Sequence, residues 1–137
     1  MQKTLVLVKP DGVKKGVIGN IITRFENKGL KIVAMKMLVM TKEQASQHYA
    51  EHIDKPFFHE LSTFMTSAPI VAIIVSGENA VPVVRSMMGA TNPLNAVPGT
   101  IRADFALTTS ENIIHGSDSE LSAQREIDIF FMPCEIL

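Results

Sequence analysis

The sequence predicts a single α+β domain over residues 1–137, and three observations support this prediction. First, 46% of the residues are hydrophobic, which suits one compact core. Second, short β-branched runs alternate with segments of helical periodicity. Third, apart from a helical hairpin and a long loop, the elements follow the order βαββαβ with a terminal helix. That order is typical of a ferredoxin-like antiparallel sheet, which we expect to be covered by helices on one face.

Composition and charge argue against several classes of function. The net charge is −1, so the chain has no overall basic field and we expect no strong nucleic-acid binding. No apolar run is long enough to span a bilayer, and the N-terminus lacks a signal-peptide pattern. The lone cysteine, Cys134, cannot form an internal disulfide. These features predict a cytoplasmic protein without a membrane segment.

The first strand and helix are well delimited. Residues Thr4 to Val8 form a β-branched and leucine run, and Lys9-Pro10-Asp11-Gly12 ends it with residues typical of turns. Apolar residues then recur at helical spacing from Ile18 to Lys28, and Gly29 follows as a C-cap. The sequence therefore predicts a central strand followed by an amphipathic helix.

A second strand and a helical hairpin come next. Leu30 to Met40 alternates imperfectly as a strand, and its methionines are typical of core filling or a subunit contact. Thr41-Lys42-Glu43-Gln44 has the pattern of a capping box, so a helix is predicted to start here and run through His48 to His52. The family resemblance described below implies that the segment up to Leu61 forms a helical hairpin.

Three histidines, His48, His52 and His59, fall in or near this hairpin. Imidazoles at i and i+4 share a helix face, which would suit zinc. However, no cysteine lies nearby, and no third ligand stands at a known spacing. We therefore predict that these side chains are largely solvated and hold no metal.

The central part of the chain combines regular and irregular segments. Ile70 to Val75 is almost wholly apolar, which predicts a strand buried on both faces. A helix opens at Glu78-Asn79-Ala80-Val81 and carries Arg85. Residues 91–111 show no clear periodicity, and a connection of this length in a compact domain is usually functional.

The most informative stretch is Asn112-Ile113-Ile114-His115-Gly116-Ser117-Asp118. The isoleucines predict a short buried strand that ends at His115, and Gly116 lets the backbone turn sharply. Ser117 and Glu120 are spaced as a capping box for a helix over about Ser119 to Phe131. A histidine held between two rigid elements is well placed as a nucleophile, although a hydrogen-bonded core histidine would have the same pattern.

The string N-x-x-H-G-S-D at 112–118 resembles the active-site motif of the nucleoside diphosphate kinases. The resemblance extends from the Lys9-Pro10-Asp11 motif, through Gly89-Ala90-Thr91-Asn92-Pro93, to Glu126. It implies an enzyme that moves the γ-phosphoryl of a nucleoside triphosphate, mainly ATP, onto a nucleoside diphosphate through a phosphohistidine. Broad base and sugar specificity and a role in maintaining NTP and dNTP pools are further implications.

The same resemblance assigns roles to individual residues. His115 is the nucleophile, Glu126 hydrogen-bonds its imidazole with support from Ser117, and the hydroxyl of Tyr49 approaches the ring. The implied nucleotide contacts divide between base, sugar and phosphates. Phe57 and Leu61 hold the base, Lys9 and Asn112 contact the sugar, Lys9 also contacts the phosphates, and Arg85, Thr91 and Arg102 bind phosphate oxygens.

Cofactor and assembly follow from the resemblance as well. Mg²⁺ is carried by the nucleotide without a direct protein ligand, and Asp118 is placed to act on it through water. The family forms homo-oligomers, either tetramers or hexamers. The alternative is a non-catalytic, ferredoxin-like nucleotide-binding regulator, which would keep Phe57, Lys9 and the arginines. Such a regulator would have no need of the His115 and Glu126 pair.

Overall fold

The computed structural model describes residues 1–137, which form four strands and seven α-helices. The strands are β1 (Gln2–Val8), β2 (Lys31–Leu38), β3 (Ile70–Gly77) and β4 (Ile114–Gly116). The helices are α1 (Pro10–Lys15), α2 (Ile18–Lys28), α3 (Lys42–His48), α4 (Phe58–Met65), α5 (Ala80–Met88), α6 (Ile101–Phe105) and α7 (Glu120–Phe130). Short 3₁₀ turns occupy Ala50–His52, Pro93–Asn95 and Pro133–Glu135.

The four strands form one antiparallel sheet in the order β2-β3-β1-β4. Strand β1 is central and pairs with β3 from Gln2↔Gly77 to Val8↔Val71. On its other side, β1 pairs with β4, where Leu7 lies opposite His115. This order and these directions confirm the predicted ferredoxin-like α+β fold. They also place His115 on the edge strand β4, which pairs with the interior strand β1.

Helices cover both faces of the sheet, so the prediction that they cover one face is wrong. Val6 and Val8 of β1 point into a core formed with α2 and α5. Leu5 and Leu7 point the other way, into a second core with α3, α4 and α7. The inserted hairpin and the terminal helix provide the second layer. Because both faces are buried, β1 and β3 are continuous apolar runs rather than alternating ones.

Several predicted boundaries are confirmed. Helix α2 spans Ile18–Lys28 and ends at Gly29, which has a left-handed φ of 99°. Helix α3 starts from the predicted capping box: Thr41 Oγ1 accepts from the Gln44 N–H, and the Gln44 side chain accepts from the Thr41 N–H. The sequence did not predict α1, because Pro10 and Gly12 are typical of turns. Pro10 instead occupies the first helical position, where a backbone N–H has no intrahelical partner to lose.

The stretch 91–111 is less irregular than predicted, because it contains the five-residue helix α6. The Thr100 side chain caps this helix by accepting a hydrogen bond from the Ala103 N–H at 3.3 Å. Helix α6 buries Ile101 and Arg102. Five residues are too few to show a helical period in the sequence, so the helix was missed.

Two local predictions around His115 are wrong. Gly116 lies inside β4 and makes no left-handed turn; the positive φ of 74° belongs to Ile113. A glycine is needed at 116 because a Cβ there would collide with Sδ of Met88. Ser117 and Glu120 form no capping box, since the N-cap of α7 is Ser119, whose hydroxyl accepts from the Ser122 N–H at 3.0 Å. None of the helices has the length and apolar character that crossing a bilayer requires.

Candidate active site

A polar cavity of about 240 Å³ opens beside β4 and the start of α7. Seven of the predicted site residues line it: Tyr49, Arg85, Thr91, Arg102, His115, Asp118 and Glu126. The other lining residues are His48, Glu51, His52, Gly116, Ser122 and Arg125. The fold thus brings together residues that are far apart along the chain, from His48 to Glu126. A hydrogen bond from Arg125 to the Gln47 carbonyl spans 78 positions beside the cavity.

The His115 imidazole is held by Glu126. Nε2 of His115 lies 2.9 Å from Oε1 of Glu126, and the hydroxyl of Ser117 donates to the same oxygen at 2.7 Å. Ser117 is fully buried beside β1, where its Oγ also accepts from the Leu5 N–H. Because Glu126 takes the Nε2 side of the ring, Nδ1 is the nitrogen without a hydrogen-bond partner. The arrangement leaves that nitrogen available as a nucleophile.

The ionisation of Glu126 favours this arrangement. Burial alone raises the pKa of the Glu126 carboxyl, but hydrogen bonding and the charge of His115, together with the Ser117 hydroxyl, outweigh it. The net pKa lies below the usual value, so the group is a carboxylate at neutral pH. A carboxylate accepts from Nε2–H and therefore selects the tautomer that has a lone pair on Nδ1.

His48 is a site residue that the sequence did not reveal. Its side chain is buried, and its ring meets that of His115 edge to face, with centroids 4.6 Å apart. Burial lowers the pKa of His48 to about 3, so this imidazole is neutral at physiological pH. The prediction that His48 is solvated is therefore wrong. Its spacing of three from Ala45, which is also buried, is the pattern that could have indicated a buried helix face.

The predicted histidine trio separates in the structure. His52 is half-buried and His59 is exposed, whereas His48 joins His115 and Glu126. One potential ligand atom from each of these last three residues lies within 4.8 Å of the others. The close grouping in this protein is therefore built around His115 rather than along the hairpin.

Tyr49 lies in the cavity wall, but its ring packs against His48, at a centroid distance of 4.6 Å. The side chain in ring contact with His115 is His48. Burial, followed by the charge of Glu126, raises the pKa of the Tyr49 hydroxyl well above its usual value. Tyr49 therefore remains a neutral phenol that can donate a hydrogen bond into the cavity.

Two arginines are anchored to the backbone around His115. Arg102 is buried and donates to the carbonyl oxygens of Gly89, Asn112 and Ile114 at 3.2, 3.3 and 2.7 Å. Burial and the nearby Arg85 lower the pKa of Arg102 to about 10, which leaves it cationic at neutral pH. Arg85 is exposed and donates to the Gly116 carbonyl at 3.0 Å. Both guanidinium groups therefore have fixed positions in the cavity wall.

Arg125 is a third cation in the cavity that the sequence analysis did not single out. It donates to the Gln47 carbonyl at 3.0 Å and lies 3.6 Å from Oε2 of Glu126. On α7 it follows the helical spacing of an exposed charge, so no sequence pattern distinguishes it. Its contact with the end of α3 ties the two helices together beside His48.

Lys9 and Asn112 form a buried pair that lines neither of the two cavities described here. Nζ of Lys9 donates to Oδ1 of Asn112 at 2.8 Å, and Nδ2 of Asn112 donates to the Thr91 carbonyl at 3.0 Å. Burial lowers the pKa of Lys9, while the charge of Asp11 opposes that effect. The pair thus connects the end of β1 with the loop that carries Thr91.

A second cavity, of about 560 Å³, contains the two residues predicted to hold a base. Phe57 and Leu61 line it together with Glu60, Phe64, Thr109, Ser110 and Glu111. The Phe57 side chain is 47% exposed, so one ring face is accessible to a ligand. An exposed aromatic face can stack on any base without reading its hydrogen-bonding edge.

Comparison with known proteins identifies the family. The sequence model of the nucleoside diphosphate kinase family matches residues 2–136. The chain belongs to the nucleoside diphosphate kinase family. It is 58% identical to the nucleoside diphosphate kinase of Listeria monocytogenes serotype 4b (strain F2365), over 100% of this chain and 93% of that protein. It is 56% identical to the Archaeoglobus fulgidus enzyme, over 100% of this chain and 91% of its relative.

Solved structures agree with this family assignment. The Halobacterium salinarum nucleoside diphosphate kinase in complex with CDP superposes with a TM-score of 0.97 at 48% identity, over 99% of this chain and 91% of that one. The Aquifex aeolicus nucleoside diphosphate kinase gives a TM-score of 0.96 at 43% identity, over 99% of each chain. The resemblance inferred from the N-x-x-H-G-S-D motif is thereby confirmed, and with it the assignment to a family of phosphotransferases.

Proposed function

We propose that this protein is a nucleoside diphosphate kinase that transfers the γ-phosphoryl of a nucleoside triphosphate, mainly ATP, to a nucleoside diphosphate through a phosphohistidine on His115. The observation that carries the proposal is the contact between Nε2 of His115 and Oε1 of Glu126 at 2.9 Å, beside a cavity lined by three arginines. The contact orients the imidazole, and the cations suit a polyphosphate.

In the first half of the reaction, Nδ1 of His115 attacks the γ-phosphorus in line with the oxygen that bridges to the β-phosphorus. A nitrogen–phosphorus bond forms, the bridging phosphorus–oxygen bond breaks, and the nucleoside diphosphate leaves with the bonding electrons. The Glu126 carboxylate stabilises the positive charge that develops on the ring. Arg85, Thr91 and Arg102 bind the phosphate oxygens. The second half reverses these steps with another nucleoside diphosphate.

The nucleotide is proposed to span both cavities. Its base stacks on Phe57 beside Leu61, and Lys9 and Asn112 contact the sugar, with Lys9 also reaching the phosphates. Tyr49 donates a hydrogen bond near the nucleophile, and Ser117 supports Glu126. Since stacking ignores the edges of the base, we expect broad base and sugar specificity, which fits an enzyme that maintains both NTP and dNTP pools.

Mg²⁺ is proposed to enter as part of the nucleotide substrate. The ion would neutralise part of the charge on the phosphates. Asp118 is the carboxylate that suits such an ion, because it lines the cavity and hydrogen bonds, first from Ser122, lower its pKa so that it is ionised at neutral pH. It would act through water.

Assembly and location also belong to the proposal. Strand β2 is an edge of the sheet and exposes Met35 and Met37 at 53 and 59%, and Val39, the residue after Leu38, is 55% exposed. An uncovered apolar edge favours association between chains, so we propose a homo-oligomer, either a tetramer or a hexamer. The unpaired Cys134 suits a reducing compartment, which supports a cytoplasmic location. The net charge of −1 supports weak or no nucleic-acid binding.

The proposed mechanism is tested by incubating the protein with Mg²⁺ and ATP labelled at the γ-phosphate, without an acceptor. We expect a protein-bound label that is labile in acid, stable in base, and discharged by several nucleoside diphosphates. His115→Ala should abolish labelling, whereas His59→Ala, which removes an exposed histidine, should not. Wild-type protein that binds ATP without becoming labelled would refute the covalent mechanism and favour the non-catalytic regulator.

A further inference from the structure

The backbone bends at Ile113, two residues before His115. Ile113 has a φ of 74°, in the left-handed region that a β-branched residue rarely enters. The other non-glycine residue with a positive φ is Asn79, and asparagine tolerates this conformation. An isoleucine stays in it only where the surrounding structure imposes it. The bend must therefore be held by specific contacts.

Both backbone groups of Ile113 are hydrogen-bonded to the segment that follows β1. Its N–H donates to Oδ2 of Asp11 at 2.8 Å, and its carbonyl accepts from the Lys9 N–H at 2.8 Å. Gly12 makes this approach possible, because a Cβ at that position would lie 2.9 Å from the Ile113 oxygen. The start of α1 therefore clamps the bend from one side.

No other contact of the bend involves the Ile113 N–H, which donates to Asp11. Arg102 binds the carbonyls of Asn112 and Ile114, on either side of Ile113, but does not reach its N–H. Strand β4 has only three residues, so its own ladder of hydrogen bonds is short. The Asp11 carboxylate is thus the one side chain that satisfies the N–H of the strained residue.

We propose that Asp11 is a positioning residue for His115 and acts through the backbone N–H of Ile113; this inference rests on the function proposed above. Oδ2 of Asp11 already accepts the Ile113 N–H and Oδ1 is buried, so its effect does not depend on contact with the nucleotide. By holding the bend, it keeps β4 where Nε2 of His115 reaches Oε1 of Glu126. Without it, Ile113 relaxes toward a negative φ and carries the imidazole away from its partner.

A competing account is that Asp11 acts through its charge on Lys9. Burial lowers the pKa of Lys9 and the Asp11 charge opposes that effect, so removing the charge would also change the lysine. Asp11→Asn separates the two accounts, because it removes the charge and keeps a side-chain oxygen for the Ile113 N–H. The new amide nitrogen takes the place of Oδ1, which is buried without a hydrogen-bond partner, so no existing bond is lost.

The experiment compares full-length wild type, Asp11→Ala, Asp11→Asn and the control Thr41→Ala. The control also removes a side-chain oxygen that accepts a backbone N–H, that of Gln44 at 3.0 Å, but at the exposed start of α3 rather than at the bend before His115. Two quantities are measured. One is the single-turnover rate of labelling from γ-labelled ATP, together with the KM for ATP. The other is a ¹⁵N NMR pH titration of the His115 imidazole without nucleotide.

We expect Asp11→Ala to slow labelling by about a hundredfold, because small displacements of a reacting group are costly. The KM should change by less than about threefold, since nucleotide contacts are kept. The His115 signals should lose the tautomer pattern of a ring bound to Glu126. Asp11→Asn and Thr41→Ala should be labelled at close to the wild-type rate. Their His115 signals should also titrate as in wild type.

Three results would overturn the proposal: wild-type labelling in Asp11→Ala, unchanged His115 signals in that variant, or an equal loss in Asp11→Asn. If Asp11→Ala does not fold, the test rests on Asp11→Asn. An Asn variant that folds but is labelled slowly, or has altered His115 signals, would refute positioning through the Ile113 N–H. Wild-type protein that takes up no label would refute the proposed function instead. The NMR comparison would still test the placement of His115 by Asp11.

Discussion

The ring of His48 meets the ring of His115 at an interplanar angle of 78°, so a buried, neutral imidazole supports the candidate nucleophile from the side of α3. Phe130 of α7 contacts His48 in turn, at a centroid distance of 5.6 Å. The candidate nucleophile is therefore backed by the second hydrophobic core. Substitutions in that core should therefore alter the position of the His115 ring.

Acid should destabilise the protein through His48. Its pKa is lowered from 6.5 when unfolded to about 3 when folded, so the unfolded chain binds the proton first as pH falls. The stabilisation is present above the unfolded pKa and is lost as pH falls toward the folded pKa. The free energy of unfolding should drop by at most about 1.4 kcal/mol per pH unit in this window. Urea unfolding of wild type and His48→Phe at several pH values measures it.

His48→Phe keeps an aromatic ring and removes the titrating nitrogens, so its stability should depend less on pH in the same window. His59→Ala serves as the control, because His59 is exposed and its loss should leave the wild-type slope. Equal slopes in His48→Phe and wild type would contradict this origin of acid sensitivity.

Phe57→Ala should weaken nucleotide binding without destabilising the fold. The side chain is 47% exposed, and stacking on a base is worth about 1–3 kcal/mol. We expect the KM to rise by about tenfold for ADP, GDP and CDP alike, with a smaller change in kcat. Phe57→Tyr should restore binding. A KM increase confined to one base would show that the pocket reads base edges.

Arg102 and Arg85 should differ in their effects on stability. Arg102→Lys loses a planar group that holds three carbonyl oxygens and should lower the free energy of unfolding by about 1–3 kcal/mol. Arg85→Lys removes one bond from an exposed residue and should change stability by less than about 0.5 kcal/mol. Both should slow labelling of His115. Chemical unfolding and single-turnover assays separate the two effects, and equal destabilisation would argue against the anchoring role of Arg102.

Gly116→Ala should be destabilising for reasons of packing. Its Cβ would collide with Sδ of Met88, and overpacking costs about 1–3 kcal/mol. The double variant Gly116→Ala with Met88→Ala should recover part of the loss beyond additivity, as a double-mutant cycle on thermal or urea unfolding would reveal. Strict additivity would mean that contact with Met88 is not the cause, and would point to the other close neighbour of the Cβ, Cγ1 of Val84 at 3.3 Å.

Local patterns predicted much of the fold. The periodicity of Ile18 to Lys28, the capping box at Thr41 and the apolar run of β3 each specify an element through neighbouring residues. What they could not specify depends on contacts between distant segments. Helix α6 is too short to show a period, and the layer on the second face of the sheet depends on where the hairpin and α7 pack.

The candidate site was likewise predicted only in part. Motif resemblance predicted His115, Glu126 and Ser117, which the structure places in one hydrogen-bonded group. His48 was missed because its role depends on how α3 packs against β4, and Asp11 because its partner is a backbone N–H 102 positions away. The spacing of Ala45 and His48 could have indicated that His48 is buried, but no local pattern shows which residue either side chain contacts.

The pairing of β1 with β4 has a consequence for synthesis. Ser117 contacts Leu5 across 112 positions, and Glu126 comes later still in the chain. A high share of contacts of such long range slows folding. A chain emerging from the ribosome therefore carries β1 before β4 and α7 have been made, and one edge of β1 then has no partner strand. The candidate site can be completed only after the last helix has been synthesised.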